Sequence, residues 1–287
     1  GHHLGLQHYV REQTDNLHSI NILKDVSALM HQLCQCIDAA NLDVVTQGFA
    51  LLAEFCQGPC RENQRALLAN GACSLVCRAF DFREAAPEAV DTVKAAAATA
   101  LLSFLEGCND SRVYRQVLAQ VPIPAVAQQM AMLATRLADD GDPTSVMASR
   151  STLSSATLTR AAAAADAGSD EDPAVDVLFS LLIFLNQSLP HADAESADRI
   201  RRLLARYRHF RRQLGCIEIE RHDARGRDDD GSAGGPAASG AAGHRSNGAA
   251  SPGSDGSPPT SGALERVYFR IPSVCKALTE KSKDQVL

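Results

Sequence analysis

Ile22, Val26, Leu29, Met30, Leu33, Cys34 and Ile37 recur at steps of three and four residues, the spacing that gathers side chains on one face of an α-helix. This pattern runs from about Ser19 to Ile37. It returns from about Asn41 to Gln57, with Val45, Phe49, Leu52 and Cys56 in the stripe. Similar stretches follow at about Arg61–Ala69, Ser74–Asp81, Pro87–Glu106, Ser111–Leu118 and Pro124–Ala138. The breaks between them are short and marked by Gly58, Gly71, Gly107 and Pro122, which favours antiparallel neighbours packed side by side. No exact repeat period is present. The fold class expected is mainly α, an armadillo-like helical stack.

Composition agrees with helices over sheet. Hydrophobic residues make up 45% of the 287, yet aromatics only 5% and tryptophan is absent, so alanine and leucine fill the core. A formal charge of −6 gives no electrostatic reason to expect a nucleic-acid partner. The nine cysteines sit mostly at helical spacing among apolar residues and read as reduced thiols in a cytosolic setting. Nothing resembles a signal peptide. The longest apolar stretch, Val175 to Leu185, falls short of the ~20 residues that cross a bilayer, so no membrane span is expected within this chain. The sequence lacks an initial methionine and stops at Leu287 inside a helical pattern, as expected of a piece of a longer polypeptide.

Four segments are expected. Residues 1–138 form the helical domain. Residues 139–173, with an acidic turn, a Ser/Thr stretch and an alanine run, read as a flexible insertion in which Leu158–Ala167 can form a transient helix. Residues 174–215 complete the stack with helices at Ala174–Leu189 and Ala194–Leu214. Residues 216–287 hold alternating strands at about 216–221 and 265–271, joined as a β-hairpin across an insert at about 224–262. That insert is too poor in large apolar residues to offset the entropy of ordering. After Pro272 a C-terminal helix is expected over 273–287, beginning at a serine cap.

The most suggestive chemistry lies where the second helix stops. At 100° per residue, Glu54 falls half a turn from the stripe led by Val45, so it points away from that helix's core face. Gln57 follows three residues later, and Gly58-Pro59 then ends the helix. A carboxylate and an amide oxygen, beside last carbonyls that lack partners, favour a cation. Cys56, Cys60, Cys73 and Cys77 have spacings seen at zinc sites, but read here as small apolar fillers, with Pro59 splitting the first pair. His2, His3 and His8 are read as binding nothing. Glu62 and Glu106 stand as lone carboxylates, and no phosphate loop, nucleophile elbow or zinc-protease motif is present, so no enzyme is expected. Seven arginines (199, 201, 202, 206, 208, 211 and 212) flank an apolar stripe of Ile200, Leu203, Leu204, Tyr207 and Leu214. Such a helix can meet acidic headgroups or protein faces, but a solvated face paired with nearby Asp and Glu is the reading preferred.

Leu52-Ala53-Glu54-Phe55-Cys56-Gln57-Gly58-Pro59-Cys60, followed by Glu62-Asn63-Gln64, resembles the signature of the domain associated with the ryanodine and inositol trisphosphate receptor homology region. Ile217-Glu218-Ile219, with Phe269, Pro272-Ser273, Cys275, Leu278-Thr279 and Ser282-Lys283, resembles the segment that leads into such a channel's first membrane helix. The order of these stretches, and the wording Phe55 to Cys60, are closer to inositol trisphosphate receptors than to ryanodine receptors. The likeness runs through Leu101 to Glu106 and covers most of the chain apart from the two inserted segments.

The resemblance implies a non-enzymatic cytosolic segment just before the pore of a homotetrameric calcium-release channel in the endoplasmic reticulum membrane. Its partners would be other parts of the same chain and neighbouring subunits, and it would pass ligand-driven movement to the pore. It further implies that Glu54 and Gln57 belong to an activating calcium site whose other ligands lie outside this chain. It implies ATP binding through Lys283 and Leu287, an i, i+4 pair on one helix face, with leucine where the family has an aromatic. The other reading is a soluble armadillo-like scaffold for protein partners. That reading accounts for the helices and the basic helix, but not for two signatures in this order.

Overall fold

The computed structural model describes residues 4–13, 16–139, 158–159, 161–162, 172–220 and 264–271. Contacts divide the chain into two units, one taking in residues up to Ile217 and from Tyr268 onward, the other Glu218–Val267. The first carries helices α1 (Leu4–Arg11), α2 (Ile22–Leu33), α3 (Leu42–Glu54), α4 (Arg61–Ala69), α5 (Ala72–Asp81), α6 (Pro87–Ser103), α7 (Ser111–Gln120), α8 (Ile123–Asp139), α9 (Pro173–Ser188), α10 (Ala194–Arg206) and α11 (Arg208–Arg211). Strands β1 (Leu214–Glu220) and β2 (Leu264–Arg270) pair in a two-stranded antiparallel sheet. The mainly α class is as expected. The segment 273–287 lies outside the described residues.

Local chemistry starts these helices. Asn21 accepts from the Lys24 amide, Asp110 from Arg112, Asp172 from Ala174 and Asp193 from Ser196, each satisfying a donor that the first turn leaves open. Prolines stand in the first turns of α6 and α9, where a missing N–H does no harm.

The core is organised around α6, which packs along both α3 and α9 and also meets α5. Its buried residues include Val90, Val93, Ala97, Ala98, Ala100 and Leu101, and they fall on more than one face. Small alanines in the middle let two long helices approach it closely. On α3, Gly48 gives room to Met30 of α2, since a Cβ there would collide with the Met30 sulfur. Helix α9 with the turn after it, Pro173–His191, is long and apolar enough by composition to cross a membrane. In this fold its residues Val177, Leu178, Leu181, Phe184 and Leu185 are buried, and it packs against α6 and α8.

Several boundaries differ from the sequence reading. Helix α1 was not expected, because its buried inward residue is the polar Gln7 instead of an apolar stripe. Helix α2 starts at Ile22, and Ile22 and Leu29 of its supposed stripe are 40% and 49% exposed. The long helix expected over Ala194–Leu214 breaks at Tyr207. The break brings Phe210 edge-on to Phe179, centroids 6.2 Å apart, and Leu214 then opens β1. Within 139–173, Leu158, Ala161 and Ala162 are helical and buried in the core, and the Gln213 side chain donates to the Ala162 carbonyl at 3.1 Å.

The sheet is tied in at its near end within the first unit. Ile271 N–H donates to the Gln213 carbonyl at 2.8 Å, and the Arg270 guanidinium sits 5.2 Å from the Phe179 ring centroid. Gly215 leaves space for the Phe269 ring. Within the second unit, Arg266 pairs with Glu218 at 2.9 Å.

Candidate functional site

Regular hydrogen bonding in α3 ends at Glu54, three residues before the expected stop at Gln57. The chain then tightens, with the amides of Cys56 and Gln57 both donating to the Ala53 carbonyl, at 2.9 and 3.1 Å. Gly58 has φ of +94°, a left-handed conformation that glycine adopts without the clash a Cβ would bring. Pro59 and Cys60 lead directly into α4. Val45, Phe49, Leu52 and Ala53 bury the opposite face, which leaves Glu54 exposed and Gln57 half-buried. Neither of these side chains has an ion pair or hydrogen bond among the described residues.

One part of the sequence reading is corrected here. The carbonyls at this helix end are not left open. The side-chain amide of Gln7, 8% exposed, donates to the Glu54 carbonyl at 3.2 Å and also to the Gln57 carbonyl. Asn63, fully buried, donates to the carbonyls of Phe55 and Gln7, each at 2.9 Å, and accepts from Arg11 at 2.8 Å. Glu54 and Gln57 therefore offer their side-chain oxygens from a helix tip that α1 and α4 hold in place.

Gln64 performs a matching task on the next layer. Its amide donates to the carbonyls of Ser103 and Glu106 at the end of α6, both at 2.9 Å, and Arg61 reaches the Gly107 carbonyl beside them. A third contact repeats the theme with a ring. Ser111 of α7 hydrogen-bonds His191 Nδ1 at 2.9 Å just beyond α9, and Tyr114 stacks on that imidazole with centroids 4.2 Å apart. Gln7 was missed from the sequence, and Asn63 and Gln64 were quoted only as signature letters. For Asn63 and Gln64 the available signal was a pair of amides in the first turn of the helix that follows Gly58-Pro59; Gln7 had no local signal.

The cysteines behave as apolar fillers. Cys56 and Cys73 are fully buried, and burial pushes both thiols up, Cys73 to about 12, so neither offers the thiolate that binds zinc. No disulfide is formed among the described residues. A different trio lies close together, with ligand atoms of His8, Cys60 and Glu62 within 4.8 Å of one another. Arg11 donates to His8 Nδ1 at 3.1 Å, which leaves the neutral ring's proton on Nε2, the nitrogen 4.0 Å from Glu62. In that state the imidazole has no lone pair free toward Glu62. Glu62 is thus not the lone carboxylate expected.

Residues 1–80 match the family model described as "RyR and IP3R Homology associated". The match takes in 80 of the 287 residues. The matched stretch includes Gln7, Glu54, Gln57, Asn63 and Gln64 together. Over 137 residues the chain is 31% identical to the inositol 1,4,5-trisphosphate receptor itr-1 of Caenorhabditis elegans, covering 41% of this chain. The chain spans 5% of that receptor's length. The resemblance to inositol trisphosphate receptors read from the motifs is borne out.

Beyond the homology-associated domain, the arginine-rich α10 buries Ile200, Leu203 and Leu204. Arg199 pairs with Glu195 at 2.5 Å and Arg202 with Asp198 at 2.9 Å, both one turn away. This is the paired, solvated face that the sequence favoured. Lys283 and Leu287 lie outside the described residues, as do His2 and His3.

Proposed function

We propose that this chain is a cytosolic coupling segment of an inositol trisphosphate receptor-like calcium-release channel, one that contributes Glu54 and Gln57 to an activating calcium site. The observation that carries this is the position of an exposed carboxylate and a free amide oxygen within the homology-associated domain, three residues apart on a held helix tip.

The donor chemistry fits calcium in kind but not in number. Calcium takes six to eight oxygens, and two side chains make a weak site by themselves. The nearby carbonyls of Glu54 and Gln57 already accept from Gln7. The remaining ligands would come from other parts of the channel, and a bound ion would supply positive charge that links them. Such a shared site is complete only in conformations that bring its parts together, so its occupancy biases the gating equilibrium toward those conformations.

In this reading the segment works on the cytosolic side of the endoplasmic reticulum membrane, in a homotetramer, without enzymatic activity. Its helical stack hands movement to the sheet and on toward the pore. Lys283 and Leu287 would contact ATP, the ammonium at phosphate and the apolar side chain near adenine.

The test is Glu54→Gln in the full-length channel. The expected result is activation that requires more calcium while agonist binding is unchanged. Calcium activation identical to wild type would overturn the assignment.

A further inference from the structure

A cleft between the start of α6 and α8 holds charge that the channel reading leaves unused. It is lined by Arg83, Lys94 and Arg136, with Asp91 and Gln129, against an apolar wall that includes Val90 and Leu133. Its volume is about 210 Å³. That is roughly seven times the ~30 Å³ share of a liquid water and below the ~300–1,000 Å³ of sites for drug-sized ligands. That volume suits a small occupant or the charged end of a larger one.

Three cations and three carboxylates share this region, but they are not paired one to one. Arg136 is matched by its ion pair with the buried Asp91. Arg83 donates to the carbonyls of Phe80 and Phe82, and its other terminal nitrogen meets the Met132 sulfur at 3.7 Å. These neutral partners orient the guanidinium, which has no direct ion pair among the described residues. Lys94 is 3% exposed, and its ammonium has one long hydrogen bond, 3.4 Å to the Gln129 side-chain oxygen. The Gln129 amide is itself fixed by donating to the Phe80 carbonyl at 2.7 Å, which keeps its oxygen toward Lys94. Asp81 and Asp91 both act on Arg83 and on Lys94, and Asp172 acts on Asp91, so an arriving anion also meets the field of these carboxylates. A desolvated ammonium held by one long hydrogen bond among the described residues is costly, and an arriving oxyanion would offset that cost.

We infer that this cleft binds a small oxyanion, a phosphoryl or carboxylate group with at most a short apolar tail, engaged by Arg83 and Lys94. The guanidinium and ammonium supply the donors, and the apolar wall accommodates the tail. Arg136 stays with Asp91 and closes one side.

The experiment titrates the 287-residue chain with inorganic phosphate and, separately, with butyrate, at neutral pH and constant ionic strength set by sodium chloride. The Arg83 and Lys94 side-chain NMR signals and the thermal midpoint are followed. Saturable shifts with at least one probe are expected. Arg83→Gln and Lys94→Gln should weaken binding by about tenfold or more, while Arg201→Gln, on an exposed turn of α10, should not. Tighter phosphate binding assigns a phosphoryl ligand, and tighter butyrate binding a carboxylate. Should either cleft variant fail to fold, the wild-type titration decides alone. No saturation up to ~10 mM, or equal binding in a folded Lys94→Gln variant, overturns the proposal.

Discussion

Gln7 and Gln64 hold successive helix ends in the same way. Gln7 bridges the carbonyls of Glu54 and Gln57 after α3, and Gln64 bridges those of Ser103 and Glu106 after α6. In both cases one buried amide joins two carbonyls three residues apart, and the donor belongs to a helix of the preceding layer. The helix ends that would otherwise leave carbonyls without partners inside the protein are thereby satisfied.

Gln64→Ala should accordingly cost more than a surface change. It leaves two carbonyls without their donor at a site where the side chain is 4% exposed, and a loss of about 1–3 kcal/mol is expected. Urea unfolding of the variant and the wild type measures it. A change within ~0.5 kcal/mol would show that water replaces the amide without penalty.

Glu54→Gln and Gln57→Ala in this chain should behave oppositely. Their side chains have no described partner, so stability should stay within ~0.5 kcal/mol of wild type in the same unfolding assay. A large loss from either would mean that these residues hold the fold instead of a ligand.

Lys94 gives a pH signature. Burial pushes its ammonium down from 10.5 to about 8, whereas an unfolded lysine titrates near ~10.4. Between those values the unfolded chain still carries the proton that the native lysine has released. Stability therefore rises with pH across this window, and the penalty for the buried charge is felt in full below it. Lys94→Met should lack this rise, which is on the order of 3 kcal/mol. Thermal unfolding of both proteins at several pH values from ~7 to ~10 checks it; parallel curves would refute the assignment.

Gly48→Ala sets two effects against each other. Alanine is the better helix former by about 0.5–1 kcal/mol, but its Cβ meets the sulfur of Met30, which is 1% exposed and has little room to move. Overpacking of this kind costs about 1–3 kcal/mol, so net destabilisation is expected. The thermal midpoint decides the sign, and an increase would show that Met30 repacks freely.

Much of the helical order could be read from apolar spacing, because most stripes do face the core: Val45, Phe49, Leu52 and Cys56 are all fully buried. What the spacing hid was polar. Helix α1 carries little apolar periodicity, since Gln7 and Arg11 look outward in sequence but bond inward to Gln57 and Asn63. The end of α3 was read late because Phe55 and Cys56 stay buried while the chain tightens around the Ala53 carbonyl, so hydrophobic pattern continues after the helix stops. Glu54 and Gln57 were placed correctly at that end, one exposed and one half-buried. The source of the tip's rigidity, a side chain 47 residues away from Glu54, is a long-range contact that no local pattern encodes.

The bond from Gln7 to the last turn of α3 has a mechanical corollary. A cation pulling on Glu54 would not tug at a loose end that bends and absorbs the load. The same turn is lashed to α1, and through Asn63 to α4, so displacement there drags three helices as one lever arm. Cutting that tether, as in Gln7→Leu, would leave the ligand atoms intact yet let the pull dissipate before it reaches the rest of the stack.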